Sequence, residues 1–113
     1  MTADRRRNRQ QALNVSDVPA LADFARAYLH QDVLVEYGSA VEAVRAFCRD
    51  ASLREATALV ADLAHVITKA AELQGDNLMR WFRDDLGAAW GPESFDDLVD
   101  LAAAAVNATR RAN

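Results

Sequence analysis

At 113 residues, 51% of them hydrophobic, the chain supports one core without disulfide staples and is too short for two. Its most apolar run, Leu98 to Val106, is broken by Asp100, and its basic start, MTADRRRNRQ, leads into no apolar segment, so neither a membrane span nor an export signal is expected. The formal charge of −4 is unevenly spread: Arg5, Arg6, Arg7 and Arg9 open the chain, Arg110 and Arg111 close it, and Ala12 to Thr109 carries 7 basic against 16 acidic residues, a formal −9.

Residues 1–12 show no apolar periodicity and read as a disordered basic arm. Ordered structure is expected from Ser16 or Asp17, a capping residue ahead of Pro19 in a first helical turn. Leu21, Phe24, Tyr28 and Leu29 then follow at helix-face spacing, to about His30. A connection follows to Gly38, with helical turns at Val33 to Tyr37. Ser39 and Glu42 form a capping-box pattern for a second helix with Val41, Val44, Phe47 and Cys48 on its apolar face. Ser52 and Glu55 repeat the pattern for a third helix. Its core face is Ala56, Leu59, Val60, Leu63, Val66, Ile67 and Ala70, and Gly75 is its stop. This third helix is predicted to be the longest and the centre of the packing.

A fourth helix starts near Asp76 or Asn77, carries Leu78, Trp81, Phe82 and Leu86, and ends at Gly87. After the non-helical link GAAWGP, Ser94 and Asp97 open a fifth, with Phe95, Leu98, Val99, Ala102, Ala105 and Val106 facing inward. No period-two pattern bounded by hairpin turns occurs, so the expected fold is all-α: a compact five-helix bundle in one domain spanning residues 13–109, followed by a flexible 110–113.

Chemistry requires convergent groups, and few candidates present themselves. His30, Asp32 and Glu36 have metal-ligand identities without metal-ligand spacing, and Asp62 with His65, three apart on the third helix, reads as a local hydrogen bond. Cys48 is the one cysteine, so no disulfide forms within the chain. It lies on an apolar face with neither histidine nor cysteine beside it, and fits a reducing, cytoplasmic setting as a small buried hydrophobe. All four glycines stand singly, which leaves no phosphate-binding loop. The chain is therefore read as no enzyme, with no metal and no cofactor. Nucleic-acid binding is disfavoured too, because the fourth and fifth helices carry carboxylates that repel phosphate.

As a group the acids are more informative. Asp84 and Asp85 end the fourth helix while Glu93, Asp96, Asp97 and Asp100 open the fifth, so short links bring both sets towards one edge, with Trp90 between them. Asp32 and Glu36 lie between Tyr28 and Tyr37. Aromatic residues ringed by carboxylates suit a basic protein partner.

The stretch YLHQDVLVEYGSAVEAVRAF, Tyr28 to Phe47, resembles the helical immunity proteins of bacterial contact-dependent growth inhibition. Their Tyr-x-His-Gln-Asp falls on Tyr28, His30, Gln31 and Asp32, and their Tyr-Gly-Ser on Tyr37, Gly38 and Ser39. LGAAWGPES, Leu86 to Ser94, is similar to a second landmark, a Leu-Gly turn followed by an aromatic residue and a proline, although Ala88 and Trp90 stand where a typical member has cysteine and tyrosine. The likeness extends over about Leu21 to Val106.

That resemblance implies a cytoplasmic antitoxin of bacterial competition. Its partner would be the toxic C-terminal domain of a delivered effector, often a nuclease, bound one-to-one, with no nucleic acid and no membrane as partner. The shared motif residues suit a scaffold role, which leaves Asp32, Glu36, Asp84, Asp85, Trp90, Glu93, Asp96, Asp97 and Asp100 as toxin-contact candidates. Two alternatives are a regulatory or nucleic-acid-associated protein using its arginine arm, and a non-catalytic oligomerising module built on the alanine-rich fifth helix.

Overall fold

The first helix is started by a residue from another element. In the computed structural model, which describes residues 13–30, 36–70 and 77–112, a 3₁₀ turn at Val15–Asp17 leads into α1, Pro19–Tyr28. Asn14 caps the 3₁₀ turn, accepting from the Ser16 backbone N–H at 3.2 Å. Neither Ser16 nor Asp17 caps α1. Val18 holds the cap position without a side-chain hydrogen bond, and the Leu21 N–H donates to Asp62 Oδ2, 3.0 Å away on another helix. Asp62 was expected to face His65; it is engaged instead in closing α1 onto the core.

Local signals are obeyed at the next two starts. Ser39 Oγ accepts from the Glu42 N–H at 3.1 Å and opens α2, Ala40–Asp50, directly after Gly38 turns the chain with φ +90°. Glu42 itself pairs with Arg45 rather than folding back on the cap. At α3, Leu53–Ala70, the capping box is complete: Ser52 N–H donates to Glu55 Oε1 and Glu55 N–H to Ser52 Oγ, both at 3.1 Å.

α4 begins at Asn77–Arg80 and widens into a π turn at Trp81–Asp85, with the Leu86 N–H donating to Trp81 O at 3.1 Å. Gly87, at φ +76°, closes it, and the Ala88 N–H reaches Phe82 O at 3.0 Å, a closure one residue wider than the ordinary Schellman bond. The widening puts Trp81 and Phe82 together in the core. α5, Phe95–Ala112, then runs through Arg110 and Arg111.

α5 lies along both α2 and α3, and α3 also carries α1 and touches α2. α3 is thus the central element, as expected, but α5 equals it at 18 residues, about 27 Å of helix each. Phe24, Phe82, Leu59, Leu63, Leu98 and Leu101 form the fully buried centre. Among the described residues there are five helices and no strand, in agreement with the all-α expectation. The basic arm 1–12, Gln31, Asp32, Gly75 and Asp76 lie outside the described residues; of the turns expected at Val33 to Tyr37, Glu36 and Tyr37 are helical.

The inward face of α5 differs from the expected one. Leu98, Leu101, Ala104 and Ala105 are buried, whereas Phe95, Val99 and Val106 face water. With alanine on several sides of the helix, apolar periodicity does not single out a face. Burying Leu101 and Ala104 in place of two valines and a phenylalanine also lets α5 approach α2 and α3 through small residues.

Candidate functional site

The link after α4 positions the carboxylates. Ala88, Gly91 and Pro92 are buried, the Ala89 N–H donates to Leu29 O at 2.7 Å, and Trp90, half-buried, meets Phe82 edge-on at 5.8 Å. Gly91 is required by close approach: a Cβ there would stand 2.9 Å from Met79 O. The non-helical segment is therefore clamped to the ends of α1 and α4.

On either side of it stand the acids. Asp84, Asp85, Glu93, Asp96 and Asp100 are exposed. Asp97 is half-buried and occupied locally, its Oδ2 accepting from the Glu93 N–H at 3.0 Å while its own N–H donates to Ser94 Oγ at 3.2 Å. Among the described residues none of these carboxylates pairs with a basic side chain, and no hydrogen bond joins the α4 pair to the α5 set. The helix dipole accounts for Glu93, Asp96 and Asp97 at the start of α5. It opposes Asp84 and Asp85 in the last turn of α4, so helix stability gives no reason for that pair.

The aromatic part of the site is built differently. Tyr28 stacks on Phe24 at 5.4 Å and on Tyr37 at 5.6 Å, and meets Phe47 edge-on at 5.5 Å. These rings join α1 to α2 across the segment that carries the Tyr-x-His-Gln-Asp and Tyr-Gly-Ser residues. His30 Nε2 lies 3.3 Å from Glu36 Oε2, tying the end of α1 to the turn before Gly38. Burial, followed by the hydrogen bond and charge of Glu36, pushes the Tyr37 phenol above its ordinary value. A shallow apolar groove of about 310 Å³ opens beside Phe24, Tyr28 and Phe47, edged by Asp23, Arg54 and Glu55.

A family match covers both halves of this arrangement: the family model described as CdiI immunity protein matches residues 17–104. The chain belongs to the CdiI immunity protein family. No curated protein and no solved structure matches it. As a CdiI immunity protein it is placed among proteins that give immunity to a contact-dependent growth inhibition toxin, with a cognate toxin as partner.

In this CdiI immunity protein the chemistry-bearing side chains stay apart. Cys48 is buried where α2 meets α5, and desolvation pushes its thiol up, partly offset by a hydrogen bond with Thr109. His65 Nε2 and Trp81 Nε1 are buried without a hydrogen-bond partner. No group of three His, Cys, Asp or Glu side chains among the described residues is arranged to hold a metal ion. Nor is any helix among them long and apolar enough to cross a membrane. Sequence reasoning missed two structural roles: that of Asp62, whose partner is 41 positions away, and that of Gly91, whose neighbour Met79 comes from another element. Neither leaves a local signal.

Proposed function

We propose that this protein neutralises its cognate toxin in the cytoplasm by one-to-one association, that the toxin is a nuclease, and that the carboxylate surface of α4 and α5 covers its basic substrate-binding site. One observation carries this reading. From Asp84 to Thr109 the chain holds six carboxylates and no basic residue, a formal −6, and none of the six is neutralised by an ion pair among the described residues. A nuclease must present a basic surface to phosphate, and an unpaired acidic surface matches it in sign. Glu36, next to Tyr37, and Asp32 in the sequence before it are further acidic candidates. Charge of this kind acts mainly on the rate of encounter, and occlusion then follows from steric overlap.

The test is stopped-flow association of the chain with the toxin C-terminal domain encoded immediately upstream, over a range of salt. Association that slows steeply with salt is expected. Combined Asp84→Asn, Asp85→Asn, Asp96→Asn and Asp100→Asn is expected to slow it by about tenfold or more at low salt. Rates indifferent to salt and to these substitutions would remove the electrostatic account, and a toxin domain that cleaves no nucleic acid would remove the nuclease.

A further inference from the structure

α5 has two apolar faces, and only one of them is in the core. Leu98, Leu101, Ala104 and Ala105 are buried, while Phe95, Val99 and Val106 are 44%, 39% and 37% exposed. At 3.6 residues per turn these three side chains fall within about 40° of one another on the helix, with exposed Ala103 in the same strip. They account for three of the four large hydrophobic side chains that the described residues expose. The strip runs about 16 Å along the helix. Isolated exposed apolar residues are ordinary, but an aligned row flanking a core face that is already satisfied is not needed for folding.

The border of the strip says what covers it. Asp96 and Asp100, one residue beyond Phe95 and Val99, are exposed along the same edge and belong to the run that contains no basic residue before Arg110. A second copy docked antiparallel through the same face, with the two-fold axis at the strip's centre, would bring the two Asp100 carboxylates together, which opposes self-association. A surface with an apolar depression rimmed by lysine or arginine fits both features.

We infer that the outward face of α5, with Phe95, Val99 and Val106 as anchors and Asp96 and Asp100 as rim, is the part of this protein that seats in the toxin and sets how slowly the complex comes apart. This inference rests on the immunity reading above and adds to it a division of labour. The unpaired carboxylates govern encounter, whereas desolvated apolar anchors govern dissociation.

The experiment compares wild type, the triple variant Phe95→Ala, Val99→Ala and Val106→Ala, and Leu53→Ala, an equally exposed truncation on α3, against the upstream-encoded toxin domain. Association and dissociation rates, thermal unfolding and sedimentation velocity are recorded for each chain. The triple variant is expected to dissociate about 100-fold or more faster with association changed only a few-fold, to melt no lower than wild type and to sediment as wild type does; Leu53→Ala is expected to match wild type throughout. A triple variant that dissociates within threefold of wild type overturns the inference while leaving the immunity reading intact. A wild-type dimer that the triple variant abolishes shows that the strip joins two copies and also overturns it. Absence of any wild-type binding to the toxin domain removes the immunity reading and this inference together.

Discussion

Removing the Asp62 carboxylate tests whether the fold depends on a cap supplied across the structure. Of the N–H groups at the start of α1, Pro19 contributes none, Ala22 donates to Val18 O at 2.9 Å, and Leu21 donates to Asp62 Oδ2 at 3.0 Å. Among the described residues Asp62 is therefore the only side chain serving the first turn, and the Leu21 residue it serves is itself fully buried. Asp62→Ala strands that donor and withdraws a negative charge from the positive end of the helix dipole, a loss of about 1–2 kcal/mol. In a domain of this size that lowers the Tm by about 4–8 °C. Asp62→Asn keeps an oxygen acceptor and loses only the charge, so it is expected to cost less than half as much. Urea unfolding at pH 7, with one m value shared by the three proteins, measures both. An Asp62→Ala midpoint equal to that of wild type, or an Asp62→Asn loss as large as the alanine one, would refute the cap.

Three further outcomes follow from the geometry around the site. Gly91→Ala forces a Cβ to within 2.9 Å of the Met79 carbonyl oxygen and is expected to cost about 1–3 kcal/mol by urea unfolding, through displacement of the link rather than φ strain. The Glu55 carboxyl is held below its ordinary value by the backbone and side-chain hydrogen bonds of Ser52. Its folded-state value being depressed, it contributes stability that is present above the unfolded glutamate value, about 4.3, and is lost as pH falls through the folded one; Glu55→Gln should flatten the stability profile on the acid side of about pH 4. His30→Ala removes the contact to Glu36 and is expected to lower the Tm while leaving the rates of toxin binding unchanged; an unaltered Tm with weakened binding would make His30 a contact residue.

The parts of the fold that the sequence discloses are those written into neighbouring residues. The capping bonds at Ser39, Ser52 and Ser94 each span only three positions, and all three form. The core faces of α1 and α3 are legible because large apolar residues, Leu53 at the start of α3 apart, gather on one side. α5 defeats the same logic, since Phe95, Val99 and Val106 are as apolar as Leu98 and Leu101 and only the neighbours α2 and α3 decide which set is covered. That difference matters most, because the residues that periodicity assigns to the core are the ones proposed above to meet the toxin. The π turn at Trp81–Asp85 and the Asp62 cap are settled by tertiary packing, which no window of adjacent residues contains. As for the site, the carboxylates of α4 and α5 are visible as a charge imbalance, but their freedom from ion pairs among the described residues is a property of the folded surface.

Calorimetric titration of the full chain into the purified upstream-encoded toxin domain tests the central claim most directly, with residual toxin activity assayed at each step. One binding event is expected, with one chain per toxin, a Kd in the nanomolar range or below, and activity that falls in proportion to the chain added and vanishes at equivalence. No heat of binding and full toxin activity at several equivalents of the chain would contradict it.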